Sequence, residues 1–294
     1  MQKRSRGLRE LCGLLGYSAQ AYYQYRQGTQ ERTFRQEKLI LQLLEYRRLQ
    51  PRLGARKLLA MLQADGISIG RDAFFDLLRE HGLLVRKRRN RMRTTFSCHR
   101  FRKYADLTVR LTIERPEQLW VSDITYIRLK RGFAYLSLVT DAYSRKIIGF
   151  CMSHDLSTES CLHALRMALA ARTTTLPLIH HSDRGTQYCS QAYTDLLNKK
   201  NINISMTQGG NPRDNAIAER VNGILKLELL KESYDNLNAA YQAVKLAVNT
   251  YNKLRPHSSL DMLTPEKAHE KTGMIRRRWR NYYPQKEREA AMSE

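Results

Sequence analysis

One stretch, Ile179 to Lys226, constrains the chain more than any other. It opens IHHSDRGTQY and, after some twenty further residues, closes GGNPRDNAIAERVNGILK. Leu178 and Ile179 form a short apolar run of the kind that makes a buried strand, and Arg184-Gly185 then turns the chain away. The Asp183 carboxylate therefore stands at a strand tip, where open α/β sheets place their chemistry. Downstream, Pro212 and Asp214 open a helix with Ile217, Val221, Ile224 and Leu225 as its buried stripe. Glu219, Asn222, Gly223 and Lys226 fall at offsets of three, four and seven on that helix, so a carboxylate and a cation share one face.

A third acid lies upstream, in Leu119-Trp120-Val121-Ser122-Asp123-Ile124-Thr125-Tyr126. This run is rich in β-branched and aromatic residues and reads as a strand with Asp123 in its middle. Burying an acid there is costly unless a cation compensates it. Asp123, Asp183 and Glu219 make an oxygen-only set, which suits Mg²⁺ or Mn²⁺ rather than zinc.

W-x-x-D-I-T-Y, H-S-D-R-G-x-Q-Y, N-P-x-D-N-A-x-A-E and then Y-N-x-x-R-P-H at Tyr251–His257 occur here in that order. In these motifs the chain resembles the OrfB-type transposases of the IS-three family of bacterial insertion sequences, within the retroviral-integrase superfamily. That superfamily carries an Asp, Asp, Glu triad with thirty-five residues between the second acid and the third, and thirty-five residues separate Asp183 from Glu219. Lys226 matches the basic residue seven positions after the glutamate. The resemblance runs from about Tyr46 to near Glu270 and implies an RNase H-like core, two Mg²⁺ or Mn²⁺ ions, and Asp123, Asp183 and Glu219 as catalytic metal ligands. It further implies a polynucleotidyl transferase with endonuclease activity, acting on double-stranded transposon ends and target in the bacterial cytoplasm. At least a dimer is expected on paired ends, and the family often makes this chain fused behind a short upstream reading frame.

Charge agrees with a polyanionic partner. The chain carries 51 Lys+Arg against 28 Asp+Glu, a formal +23. Residues 1–104 hold 24 basic and 8 acidic side chains, so the excess is concentrated at the front. A DNA-binding arm joined to an enzyme has this distribution; charge alone is equally compatible with a ribosome-associated or simply soluble basic protein. The five cysteines form no C-x-x-C pair, and Cys98-His99 has no matching partner set, so zinc is not expected. This departs from retroviral integrases, which carry a zinc module at the front. Scattered cysteines fit a reducing compartment, and neither an apolar leader nor an eighteen-residue apolar run is present.

Five segments follow. Residues 1–33 read as a small helix-turn-helix, with Ser18 capping its second helix and Gln27–Thr33 as a polar joint. Residues 34–85 read as a helical DNA-binding domain: a helix from Gln36 to Leu49, a second over Gly54–Ala64, and a third from Ser68–Gly70 to His81, with Arg71 and Arg79 exposed. This segment resembles the helix-turn-helix preceding the family's core; a bundle that merely spaces the core is the competing reading. Residues 86–116 are a linker opening on Arg86, Lys87, Arg88, Arg89, Arg91 and Arg93, a block suited to lie along phosphates, with a plain solvated linker as the competing reading. Residues 117–270 are the α/β core, with three antiparallel strands followed by alternating helices and strands. Residues 271–294 are a basic, aromatic tail, of a mix that suits phosphates and unstacked bases and equally a disordered, solvated end, the reading preferred from Lys286 onward.

The neighbours of the triad have plainer roles. Asp141 is expected to bond a turn or Arg145, and Asp214 to stabilise free N–H groups at a helix start. His180 and His181 read as structural, Gln187 as shaping the loop after Asp183 or touching DNA, and Lys226 as DNA-binding. Two other functions stay open on sequence alone: a DNA-binding product with a silent core that inhibits transposition, and an RNase H-like nuclease that cuts without joining.

Overall fold

The computed structural model describes residues 7–85, 102–109, 111–208 and 215–276. The basic block Arg86–Arg93, Asp214 and the tail from residue 277 lie outside the described residues. Helix α1 (Leu8–Leu14) leads to α2 (Ala19–Leu49), whose start is capped by Ser18 accepting from the Ala21 N–H at 3.0 Å.

The polar joint expected at Gln27–Thr33 is not a joint. Helix α2 runs unbroken for 31 residues, so the boundary between residues 33 and 34 falls inside it. Gln, Glu and Arg are good helix formers. Thr29 and Thr33 donate their hydroxyls to the carbonyls of Tyr25 and Thr29 at 2.8 and 3.0 Å, which leaves the ladder intact. Gln27–Glu31 and Glu31–Arg35 add one-turn side-chain pairs.

The second half of α2 packs with α3 (Ala55–Ala64) and α4 (Arg71–Glu80) around Leu43, Leu53, Leu58, Leu62, Phe74 and Leu78, all of them buried. Helices α3 and α4 are joined by a short turn after Asp65-Gly66, and Asp65 is tied back to α2 by Tyr46 and Gln42.

The core is one five-stranded sheet: β1 (Leu119–Arg128), β2 (Phe133–Asp141), β3 (Ile147–Ser153), then helix α5 (Thr158–Ala170), β4 (Ile179–Ser182), short helices α6 (Thr186–Cys189) and α7 (Gln191–Lys199), and β5 (Asn203–Met206). The order across the sheet is β3-β2-β1-β4-β5. β1–β2 and β2–β3 are antiparallel, as short connections permit; β4 lies parallel to β1 because the chain returns through α5. The β1–β2 turn uses Gly132 at φ 79°, a conformation open mainly to glycine. This is the RNase H-like arrangement that the family resemblance implies, with β4 a short strand of four residues.

Beyond the sheet come α8 (Ala216–Ile224), a π-helical turn (Leu225–Leu229), α9 (Leu237–Lys253), a 3₁₀ turn at Ser258–Leu260 and α10 (Pro265–His269). Thr264 caps α10 and Pro265 occupies its first position, as the Leu-Thr-Pro-Glu run predicts.

Alternation along the strands sends side chains to two different cores. Trp120, Val139 and Ile148 meet α5 and α7 through Leu162, Leu165, Tyr193 and Leu197. Leu136, Leu138 and Ile147 meet α8 and α9 through Val221, Ile224, Val244, Val248 and Tyr251. Buried Asp141 closes the end of β2: its carboxylate accepts from the Glu117 N–H and from the Ser144 N–H and hydroxyl at 2.7–2.8 Å.

On the α5 side β3 approaches so closely at Gly149 that a Cβ there would overlap the Ala164 carbonyl oxygen. Backbone cannot swing aside as a flexible side chain can. Gly149→Ala is therefore expected to cost at least about 2–3 kcal/mol, the upper part of the overpacking range. Urea unfolding of the two forms measures this; equal midpoints would show that α5 shifts freely.

Candidate active site

The parallel β1–β4 ladder pairs Trp120 with His180, Val121 with His181 and Ser122 with Ser182. The next residues on the two strands are Asp123 and Asp183. Both line one cleft of about 90 Å³, with Thr125, Tyr126, Tyr135, Leu156 and Gln187 among its other walls. Asp183 directly follows the last residue of β4, and its Oδ1 accepts from the Gly185 N–H at 2.9 Å as the chain turns into α6.

Helix α8 is fastened to β1 by two asparagines. Asn215 Nδ2 donates to the Ser122 carbonyl at 2.9 Å, and Asn222 Nδ2 donates to Asp123 Oδ2 at 2.7 Å. Sequence reading gave neither a role; the signal was present in N-P-x-D-N-A-x-A-E, which contains Asn215, and in the placing of Asn222 on the face of Glu219.

Electrostatics record the crowding of acids. Asp123 is pushed up to about 7, first by burial and then by the charge of Asp183; the Asn222 bond and the Ile124 N–H pull it down, and Glu219 adds a smaller upward push. Glu219 lies in the first turn of α8 and is solvent-exposed. The structure thus brings Asp123 and Asp183 into one cleft and leaves Glu219 outside its lining. Among the described residues no three His, Cys, Asp or Glu side chains are grouped closely enough to enclose a metal.

The donor set nevertheless fits a hard divalent cation. Two carboxylates share the cleft, and the Asn222 Oδ1 oxygen, buried beside them, accepts no hydrogen bond among the described residues. Oxygen donors of this kind suit Mg²⁺ or Mn²⁺.

Lys226 lies one turn beyond Asn222, and it is not a freely solvated lysine. Its Nζ donates to Thr125 Oγ1 at 3.2 Å and stands 3.7 Å from the centre of the Tyr126 ring. Burial lowers its pKa, while Asp123 opposes the shift. Gln187 donates from Nε2 to the Leu156 carbonyl at 3.0 Å, which holds the far wall of the cleft.

His180 and His181 are buried and bonded inward. His180 Nε2 lies 2.8 Å from Ser122 Oγ and 3.0 Å from the Tyr193 hydroxyl; His181 Nδ1 lies 2.8 Å from Ser205 Oγ. In the helical module, Arg71 faces Asp72 at 2.9 Å and Arg79 pairs with Asp76, all on the solvent side.

Two models of the integrase core domain match this chain, over residues 113–212 and 200–265. An uncharacterized 31 kDa protein of insertion element IS600 from Shigella sonnei is 32% identical, over 89% of this chain and 98% of its own length. Transposase InsF of insertion sequence IS3A from Escherichia coli strain K12 is 30% identical, over 90% of this chain and 94% of its own. Among solved structures, the HTLV-2 integrase catalytic core domain in complex with magnesium aligns at a TM-score of 0.42 and 20% identity, covering 53% of this chain and 98% of that one.

The core is therefore that of the polynucleotidyl transferases. The chain belongs to the IS3-type family of insertion-sequence transposases, and it is a DNA transposase. No described helix is long and apolar enough to cross a membrane.

Proposed function

We propose that this transposase binds the ends of its own insertion sequence as at least a dimer, cuts one strand at each end, and joins the freed 3′-hydroxyl to target DNA. Asp123, Asp183 and Glu219 are the residues that would hold one or two Mg²⁺ or Mn²⁺ ions. Such ions, when bound, supply positive charge to both the attacking and the leaving oxygen of an in-line displacement.

The chain's own groups do the positioning. Asn222 fixes the Asp123 carboxylate, and the Gly185 N–H fixes that of Asp183. Glu219 stands one turn before Asn222 on the same helix, near enough for its charge to raise the Asp123 carboxyl. Lys226, steadied by Thr125 and Tyr126, offers its ammonium to a phosphate entering beside the acids. Gln187 and Tyr135 bound the space left for the terminal nucleotide. Arg71 and the block Arg86, Lys87, Arg88, Arg89, Arg91 and Arg93 supply the charge that holds duplex without reading its sequence. No serine or tyrosine nucleophile is needed, because water and then the DNA hydroxyl attack phosphorus directly.

The register of β1 against β4 carries this reading, since it sets two acids from distant parts of the chain side by side. The test is a strand-transfer assay on oligonucleotides bearing the element's ends, with and without Mg²⁺. Metal-dependent joining is expected. Binding without cleavage at any metal concentration would favour a DNA-binding inhibitor, and cleavage without joining would favour a nuclease.

A further inference from the structure

A second charge cluster lies where the helical module meets the core, away from the cleft. Glu228 sits in the π-helical turn that directly follows α8. Its carboxylate accepts a forked pair from Arg255, Nε at 2.9 Å and Nη2 at 3.0 Å. The same two oxygens accept from Lys57 Nζ, on α3, at 3.2 and 3.3 Å. The backbone makes the same junction: the Arg52 N–H donates to the Glu228 carbonyl at 3.2 Å. None of the three side chains is open to solvent, with exposures of 1% for Arg255, 15% for Lys57 and 19% for Glu228.

Sequence spacing singled out Tyr251–His257 without giving Arg255 a task, and its task is to hold this carboxylate. Burial alone would push the Glu228 carboxyl up, but Arg255 and Lys57 together keep it below its ordinary range. Such a shielded cluster is costly to break from one side, because it leaves an uncompensated charge behind. The π turn is the second observation. Turns of this kind are frequent at functional sites, and this one lies immediately after the helix of Glu219 and Asn222 and contains Lys226.

We infer that Glu228 is a positioning residue for DNA joining: gripping Lys57 of the helical module and Arg255 of the core together, it makes the setting of the Glu219–Lys226 segment depend on the module being docked. This rests on the reading of Glu219 as catalytic. The module is then more than a DNA anchor, since its contact with the core holds the catalytic helix in phase.

Lys57 is the clean probe, because its removal leaves the Arg255–Glu228 pair whole within the core. In the full chain, Lys57→Met keeps the apolar stem and loses the charge. At saturating end DNA its joining turnover should fall at least about tenfold, well within the roughly hundredfold that a misplacement of about 1 Å can cost. Affinity for the ends, read by gel shift, should stay within about twofold, because a shielded ammonium makes no phosphate contact. Lys57→Arg should recover most of the turnover, which a purely structural loss would not predict. In a cycle with Glu228→Gln, the double variant should be no slower than Glu228→Gln alone.

Wild-type turnover in Lys57→Met, a loss confined to affinity, or a double variant slower than Glu228→Gln would each overturn the inference. Glu219→Gln runs alongside as the control. If it still joins DNA, the catalytic reading fails; if it is inactive while Lys57→Met is normal, only the positioning role fails.

Discussion

Glu219→Gln is expected to leave the transposase bound to the ends of its element and to lower strand joining by at least about a thousandfold, which is about 4 kcal/mol of barrier. Glutamine keeps the size and one oxygen donor but lacks the charge that a hard divalent cation demands. Glu219 is exposed on the first turn of α8, so the exchange leaves the Val221, Ile224 and Leu225 packing untouched. Asp183→Asn should act the same way from within the cleft. Replacing Mg²⁺ with Ca²⁺ in the unmutated chain should allow assembly on DNA with little turnover, because Ca²⁺ takes looser and higher coordination. The measurement is paired, with gel-shift affinity and joined product read on the same oligonucleotides. Full joining by Glu219→Gln would remove it from the site. A loss of affinity equal to the loss of joining would make it a DNA contact instead of a catalytic group.

How far the sequence foretells this arrangement depends on the range of the interactions involved. β1 and β2 announce themselves because β-branched and aromatic residues run together between clear turn signals such as Lys130-Arg131-Gly132. Asp123 stands out for a similarly local reason, as an acid in the middle of a β-branched and aromatic strand, and Asp183 as the acid just before the Arg184-Gly185 turn. The polarity of Gln27–Thr33 points to a break in α2 that the fold does not make, because an exposed helix can be polar all round when its residues bond one turn apart. The π turn at Leu225–Leu229 has no local signal. It is set by packing and by the grip on Glu228, whose partners Lys57 and Arg255 lie 171 and 27 residues away. Lys226 shows the same limit: its face was legible from spacing, but its seat on Thr125 and Tyr126 needed the register of β1 against α8. Residue type and period thus fix which groups share a face, whereas the bonds that tune those groups are made across the fold.

Two of the buried histidines, His180 and His257, make the chain sensitive to acid in a definite direction. Burial first, then the charge of His181, lowers His180 to about 3. Burial first, then Arg255 and its neighbouring cations, lowers His257 to about 2. An unfolded chain takes up both protons near pH 6.5, the ordinary histidine value. Between that pH and about 3 the unfolded state binds more protons than the folded one, so stability is full above about 6.5 and is lost as pH falls. From pH 6.5 to 5, still above the ordinary carboxylate range, the pair should remove about 3 kcal/mol. Asp123 works against them: its folded value of about 7 lies above the unfolded one, so its protonation favours the fold as pH falls. In metal-free protein it should offset about half of the histidine effect. Asp123→Asn removes that opposition and isolates the histidines. Urea midpoints at pH 6.5 and 5.0, followed through the fluorescence of buried Trp120, should then separate by the full amount, and adding His180→Gln should halve the separation. A midpoint in Asp123→Asn that does not move over this window would mean that neither imidazole is held neutral. The fold would then have to admit water to both sites, which their bonds to Ser122, Tyr193 and Ser259 are arranged to prevent.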